Sequence, residues 1–240
     1  MLQFSRIFVC HKYAFDENSI NTLKENFNIY LNRFLAYIRS YKPVLNDREE
    51  IHFAIFLKTL FKIVIIITRP NKTESICNEI DNMNCSYICY TMLYDECRKF
   101  FDLSEKINEV KLESADWTLD SWGKHYWNFL HALSILVQYC YQTKCDELLH
   151  NYVAALILNF DLILPCNTCR ENYKLKKPLI NLALPIIYSK DVIFVIYNLH
   201  NNIRVTNGLE NFPFDQFLNS WNIKLLGVDT KTVNARYLLE

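Results

Sequence analysis

The sequence predicts an all-α protein, an up-down helix bundle preceded by a second helical domain. Three observations carry this expectation. The 240 residues include only 3 glycines and 6 prolines, too few chain-reversing residues for a loop-rich β-sandwich or barrel. Apolar side chains recur at helical spacing along most of the chain. In the second half the breaks between helical runs are short, so successive helices are expected to lie antiparallel. An apolar share of 51% with 22% charged belongs to a folded chain with a core. The 26 basic and 26 acidic residues cancel, which removes the basic footprint that nucleic-acid binding leaves.

The first helix is expected over residues 15 to 42. Asp16 or Ser19 can cap it, and Leu23, Phe27, Tyr30, Leu31, Phe34 and Ile38 form its apolar face. Beyond Pro43, Asn46-Asp47 opens a second helix, with Glu49 and Glu50 in the first turn, where the dipole favours acids. It runs to about Thr68, and its β-branched end, Val64 to Thr68, suits a strand or a buried helix. The apolar run from Phe53 to Thr68 contains Lys58 and Lys62 and is short for a bilayer, so a buried helix is expected and no membrane span. The start, Met1-Leu2-Gln3-Phe4-Ser5-Arg6, lacks the pattern of a signal peptide. Residues 73 to 112 predict two shorter helices. Cys77, Cys85, Cys89 and Cys97 fall there at helical separations and read as small buried side chains. The pattern restarts between Lys111 and Asp116, which sets the expected domains at 1–115 and 116–240.

From Trp117 to Tyr141 the helical period is strong, with Trp127, Leu130, His131, Ser134 and Val137 on one side. A turn at Gln142-Thr143-Lys144 leads into a helix over 145–163. Pro165 disfavours helix at Leu164 and ends it. The next helix holds Cys166 and Cys169 in its first turn and stops by Pro178. Ser189 or Asp191 starts another, which runs to about Val205 with Gly208 as terminator. Pro213-Phe214-Asp215 begins a last short helix around Phe217 and Trp221. If helix 145–163 runs back along helix 117–141 at about 1.5 Å per residue, its end lies level with residues 121 to 125. The cysteine pair and Trp127 are then expected in one pocket.

Two cysteines three apart are a redox dithiol or half of a zinc site. A sulfur in the first turn of a helix faces unpaired amides and the positive end of the dipole, both of which favour thiolate, and Arg170 adds a cation. Such a pair exchanges disulfides readily. The zinc alternative is a helical interaction module stapled by Cys140, Cys145, Cys166 and Cys169. Against it, Cys140 and Cys145 stand at the far end of the helical hairpin. To create disulfides a dithiol must pass two electrons on, usually to a cofactor. Trp127 and His131, four apart, offer flat rings from one helix face; Lys124 is placed for a phosphate, and His200 with Asn201 adds polar groups. Taken singly, the aromatic stripe reads better as core and His131 as a satisfied buried histidine.

Taken together they form three ordered blocks: Trp122-Gly123-x-x-x-Trp127-x-x-Leu130-His131, Cys166-x-x-Cys169, and Leu199-His200-Asn201-x-Ile203. This order and spacing resembles the Erv/ALR flavin-dependent sulfhydryl oxidases over roughly residues 117 to 225. Cys166-x-x-Cys169-Arg170-x-x-Tyr173 looks closest to the branch encoded by insect large DNA viruses, typified by the baculovirus sulfhydryl oxidase, which carries an extra helical domain in front. The resemblance implies a bundle that binds FAD without a Rossmann fold. It places Trp127 and His131 against the flavin and His200, Asn201 and Ile203 at the adenine end, and counts Gly123, Lys124 and Arg204 among the cofactor-binding residues. It assigns Cys169 to face the flavin and Cys166 to receive client thiolates, with oxygen as final acceptor and hydrogen peroxide as product. Arg204 departs from the family's asparagine and either reaches the cofactor phosphates or marks a rebuilt end of the site. The implied partners are dithiol-containing client proteins of viral origin, molecular oxygen, and a second copy of the chain. The implied place is the host cytoplasm or nucleus at sites of virus assembly, or the virion.

Overall fold

A computed structural model describes residues 5–41, 45–68, 73–82, 119–144 and 148–234. The described chain is mostly helical, with one two-stranded sheet. Strand β1, Ser5–Phe15, pairs antiparallel with β2, Ile223–Asn234, from Ser5 opposite Asn234 to Phe15 opposite Ile223. Lys12 pairs with Gly227 and Tyr13 with Leu225, so Leu226 is an extra residue that kinks the ribbon. No strand was expected here. Strand β1 buries only Phe8 and Tyr13, five residues apart, so its sequence shows no period of two, and the partner that completes the pairing lies at the other end of the sequence.

Helix α1 is Glu17–Tyr41 and α2 is Asp47–Thr68. Asp16 caps α1, its Oδ2 accepting the Ser19 N–H at 2.8 Å. Asn46 and Glu49 form a reciprocal cap on α2: Asn46 Oδ1 accepts the Glu49 N–H at 3.0 Å and Glu49 Oε2 accepts the Asn46 N–H at 3.1 Å. The β-branched end of α2 is helix, and Ile63 to Ile67 are all buried. Among the described residues α2 alone is long and apolar enough to cross a membrane, but 61% of its apolar window is buried inside the protein. Helix α3, Thr73–Asn82, packs on α2. Cys85, Cys89, Cys97, Cys145 and the expected boundary at 115/116 lie outside the described residues.

Helix α4 is Leu119–Lys144 and α5 is Leu148–Leu158, followed by a tight turn over Phe160–Ile163. Next come α6, Asn167–Leu175, and then a wide helical turn, Leu179–Ala183, that runs into α7, Leu184–Ser189. Helix α8, Val192–Thr206, is capped by Asp191, and α9, Phe214–Ser220, leads into β2. The expected continuous helix over 145–163 is therefore a shorter helix plus a turn. No helix was expected between Pro178 and Ser189; the chain there is helical, and Pro185 stands in the first turn of α7.

Successive helices are not always each other's main neighbours. Helix α5 lies chiefly on α2 and touches α4 lightly, whereas α4 lies on α1 and α8. Phe34 of α1 stacks on Phe129 of α4 at 4.1 Å, and Phe27 adds a second stacked contact at 5.9 Å. Described helices from both sides of the expected boundary thus share one apolar core.

Candidate functional site

The cysteine pair is built by its own local sequence. Leu164, restricted by Pro165, is extended (φ −74°, ψ 123°), and Cys166 is extended too, which makes it the N-cap of α6. Its Sγ accepts the backbone N–H of Cys169 at 3.2 Å, while its carbonyl accepts the N–H of Arg170 at 2.9 Å. Both sulfurs are unbridged and half-buried. Burial first, and then the neighbouring Cys166, push the Cys169 thiol up to about 12.

Two tyrosines lock this turn against the bundle. Tyr126 of α4 donates to the carbonyl of Ile163 at 2.8 Å, which puts the chain just ahead of the pair level with the first turns of α4. Tyr173, one turn after Cys169, donates to the carbonyl of Ile157 at 2.7 Å. Arg170 reaches out of α6 to Glu49 of α2, Nη2 to Oε1 at 3.1 Å. The Asp161 carboxyl beside this pair is raised by burial, an effect that Lys174 and Arg170 oppose.

Cys169 opens onto a cavity of about 280 Å³ walled by Trp122, Tyr126, Trp127, Phe160 and Tyr173, with Leu199 and Ile203 of α8 on the facing side. Lys176 is the cation on its rim. Cys166 does not line it, so the pair straddles the cavity wall with one sulfur inside. Of the catalytic and cofactor-binding residues expected from the sequence, Trp127, Cys169 and Ile203 meet there. His131 and His200 stand behind Trp127: His200 stacks on its ring at 4.1 Å, and His131 Nε2 lies 2.8 Å from His200 Nδ1. Burial lowers both imidazoles, His131 to about 3 and His200 to about 4, with the mutual His200 contact adding for the first and Arg204 for the second. Both rings are therefore neutral at pH 7.

The remaining candidates are placed elsewhere. Gly123 is buried within α4 and Lys124 is exposed; neither lines the cavity. Asn201 is taken up by Tyr197, Asn211 and the N–H of Phe212. Arg204 lies over the Phe212 ring and donates to the carbonyl of Glu210. The sequence missed Tyr126, Phe160, Tyr173 and Lys176 as cavity residues. Tyr173 carried a usable signal, since position i+4 shares a helix face with Cys169.

Cys140 lies fourteen residues beyond Tyr126 on α4, about 21 Å of helix, out of reach of one zinc ion shared with Cys166 and Cys169. Among the described residues no three His, Cys, Asp or Glu side chains gather as a metal site. No family model matches the chain, and no curated protein matches it.

Proposed function

We propose that this chain is an FAD-linked thiol oxidase of the Erv/ALR type that forms disulfides in client proteins. The observation that carries this reading is the shared cavity: Cys169 and Trp127 line one apolar, aromatic-walled space while Cys166, three residues away, stays outside it. The residues present fit a flavin ring, since the walls are aromatic and aliphatic, a thiol borders them, and a cation stands at the rim. Trp122, Tyr126, Trp127 and Ile203 would hold the ring. FAD bound there supplies a two-electron acceptor that is reoxidised by oxygen, with hydrogen peroxide as product.

The chain's own part is thiol–disulfide exchange. In the oxidised protein a client thiolate attacks Cys166 Sγ, the S–S bond to Cys169 breaks, and a mixed disulfide forms. Cys169 leaves and takes a proton, because burial disfavours its thiolate. The client's second thiolate then attacks its own sulfur in the mixed disulfide and releases Cys166. The client leaves with a disulfide, and two electrons and two protons have moved to the pair. The separation of the two sulfurs gives each one partner, the client for Cys166 and the cavity for Cys169. Clients and setting follow the viral branch that the sequence resembles: viral proteins, in a compartment that otherwise keeps thiols reduced.

The test is an absorbance spectrum of the protein folded with FAD, followed by oxygen uptake with a dithiol substrate. A bound flavin and turnover abolished in Cys169→Ser, with flavin retained, support the reading. Absence of flavin from the folded protein overturns it.

A further inference from the structure

A second cavity, of about 380 Å³, lies between β1 and α8, and two residues, Lys176 and Leu199, line both it and the cavity at Cys169. We propose that this groove is a phosphate-binding subsite: a nucleotide cofactor places its flat ring in the aromatic cavity and its phosphates in the groove, against Lys176 and Arg6. The inference deepens the flavin reading and rests on it for the identity of the ring.

Five features support a phosphate here. The groove is lined by two cations, Arg6 and Lys176, and by no carboxylate. Among the described residues neither cation forms an ion pair. The Arg6 guanidinium lies over the Phe8 ring at 5.2 Å, which holds a planar donor ready for an oxyanion. Lys176 Nζ reaches across to Thr206 Oγ1 of α8 at 3.5 Å, so its charge stands on the lip between the two cavities. Asn198 and Asn202, one turn apart on α8, add carboxamide donors to the same wall, and these carboxamides bond to no other described side chain. By contrast, Lys124 and Arg204, the cations that the sequence offered for a phosphate, line neither cavity.

Arg6 belongs to the N-terminal strand and Lys176 to the end of the cysteine-bearing helix. The subsite would therefore tie both ends of the chain to the cofactor. A ring without phosphates would use the aromatic cavity alone.

The experiment compares FAD, riboflavin (the same ring without phosphates) and inorganic pyrophosphate on the full chain and on the double variant Arg6→Ala/Lys176→Ala. Both side chains reach solvent, and the variant's thermal melt checks that the fold is kept. Loss of two charge-assisted contacts should weaken FAD about a hundredfold and leave riboflavin within about twofold. Pyrophosphate bound to the wild type should be lost in the variant. Equal losses for FAD and riboflavin, or no loss for either, overturn the subsite. If the wild type binds pyrophosphate through these two side chains but no flavin, the groove stands and the flavin reading fails. If the wild type binds neither flavin nor pyrophosphate, the groove falls too. If FAD binds and pyrophosphate alone does not, the comparison of FAD with riboflavin decides.

Discussion

Trp127 lies flat against His200, ring centroids 4.1 Å apart and planes within 9° of parallel. Trp127 lines the cavity and His200 does not, so the imidazole buttresses the wall from behind. His131 in turn holds His200 through a hydrogen bond between ring nitrogens, which needs one donor and one acceptor. The three side chains join α4 to α8 beside the thiol-bearing cavity.

This neutral pair makes the packing sensitive to acid. Unfolded imidazoles titrate near about 6.5, whereas folded His131 sits at about 3 and His200 at about 4, chiefly through burial. Between those values the unfolded chain binds more protons, so stability rises with pH. The contribution is complete above about 6.5 and is lost as pH falls from there toward 4. His150, lowered to about 4 by burial, acts in the same sense. Thermal melts from pH 7.5 to 4.5 should show a falling midpoint, with a shallower fall in His131→Phe. Parallel curves for the two proteins would remove the imidazole pair as the source.

The cysteine pair offers a kinetic test. With its thiol raised to about 12, Cys169 is a small thiolate fraction at neutral pH. Burial is the first cause, so the effect persists when Cys166 is replaced by serine. In Cys166→Ser, the alkylation rate of Cys169 by iodoacetamide should climb about tenfold per pH unit between pH 7 and 10. A plateau near pH 9 would show an ordinary exposed thiol and sink the claim that the cavity desolvates it.

The helices were legible because their signals are local. Leu23, Phe27, Leu31 and Phe34 mark the buried face of α1, and the Asp16, Asn46 and Asp191 caps lie within three residues of the N–H groups they accept. The ribbon was not, because β1 buries only Phe8 and Tyr13, five residues apart, and its register is set by residues at the opposite end of the chain. The site divides in the same way. Helix length put the cysteines near the start of α4, where Tyr126 meets Ile163. Which aromatic ring faces the cavity and which stands behind it depends on α8, whose side chains a helical period cannot rank in depth.

Asp191 shows what that distant strand does. It is 1% exposed and accepts from four groups: the His11 N–H at 2.9 Å, the Tyr13 hydroxyl at 2.8 Å, the Phe194 N–H at 3.1 Å, and the His11 ring, whose Nδ1 lies 2.6 Å away. One side chain thus caps α8 and anchors β1. Asp191→Ala strands these donors in the interior and should cost about 3–5 kcal/mol in urea unfolding. Tyr13→Phe removes one bond and should cost about 1–2 kcal/mol. Losses under about 1 kcal/mol for Asp191→Ala would mean that the clasp adds nothing to stability.

Glu49 divides its carboxyl between two tasks. Oε2 caps α2 by accepting the Asn46 N–H, and Oε1 accepts from Arg170 beside Cys169. Arg170 is 12% exposed and Glu49 28%, so solvent screens the pair only in part. A double-mutant cycle of Glu49→Gln and Arg170→Gln should give a coupling of about 1 kcal/mol. Glu49→Ala should cost more than Glu49→Gln, because it also removes the cap. The same contacts bear on whether residues 116–240 stand alone. That fragment loses Phe27 and Phe34 from the face of Phe129, α2 from α5, and Glu49 from Arg170. The exposed apolar faces should leave it without a cooperative thermal transition and with strong binding of hydrophobic dyes. A fragment that melts cooperatively, with the dispersed amide spectrum of a packed core, would show that the first-half helices are dispensable to the second.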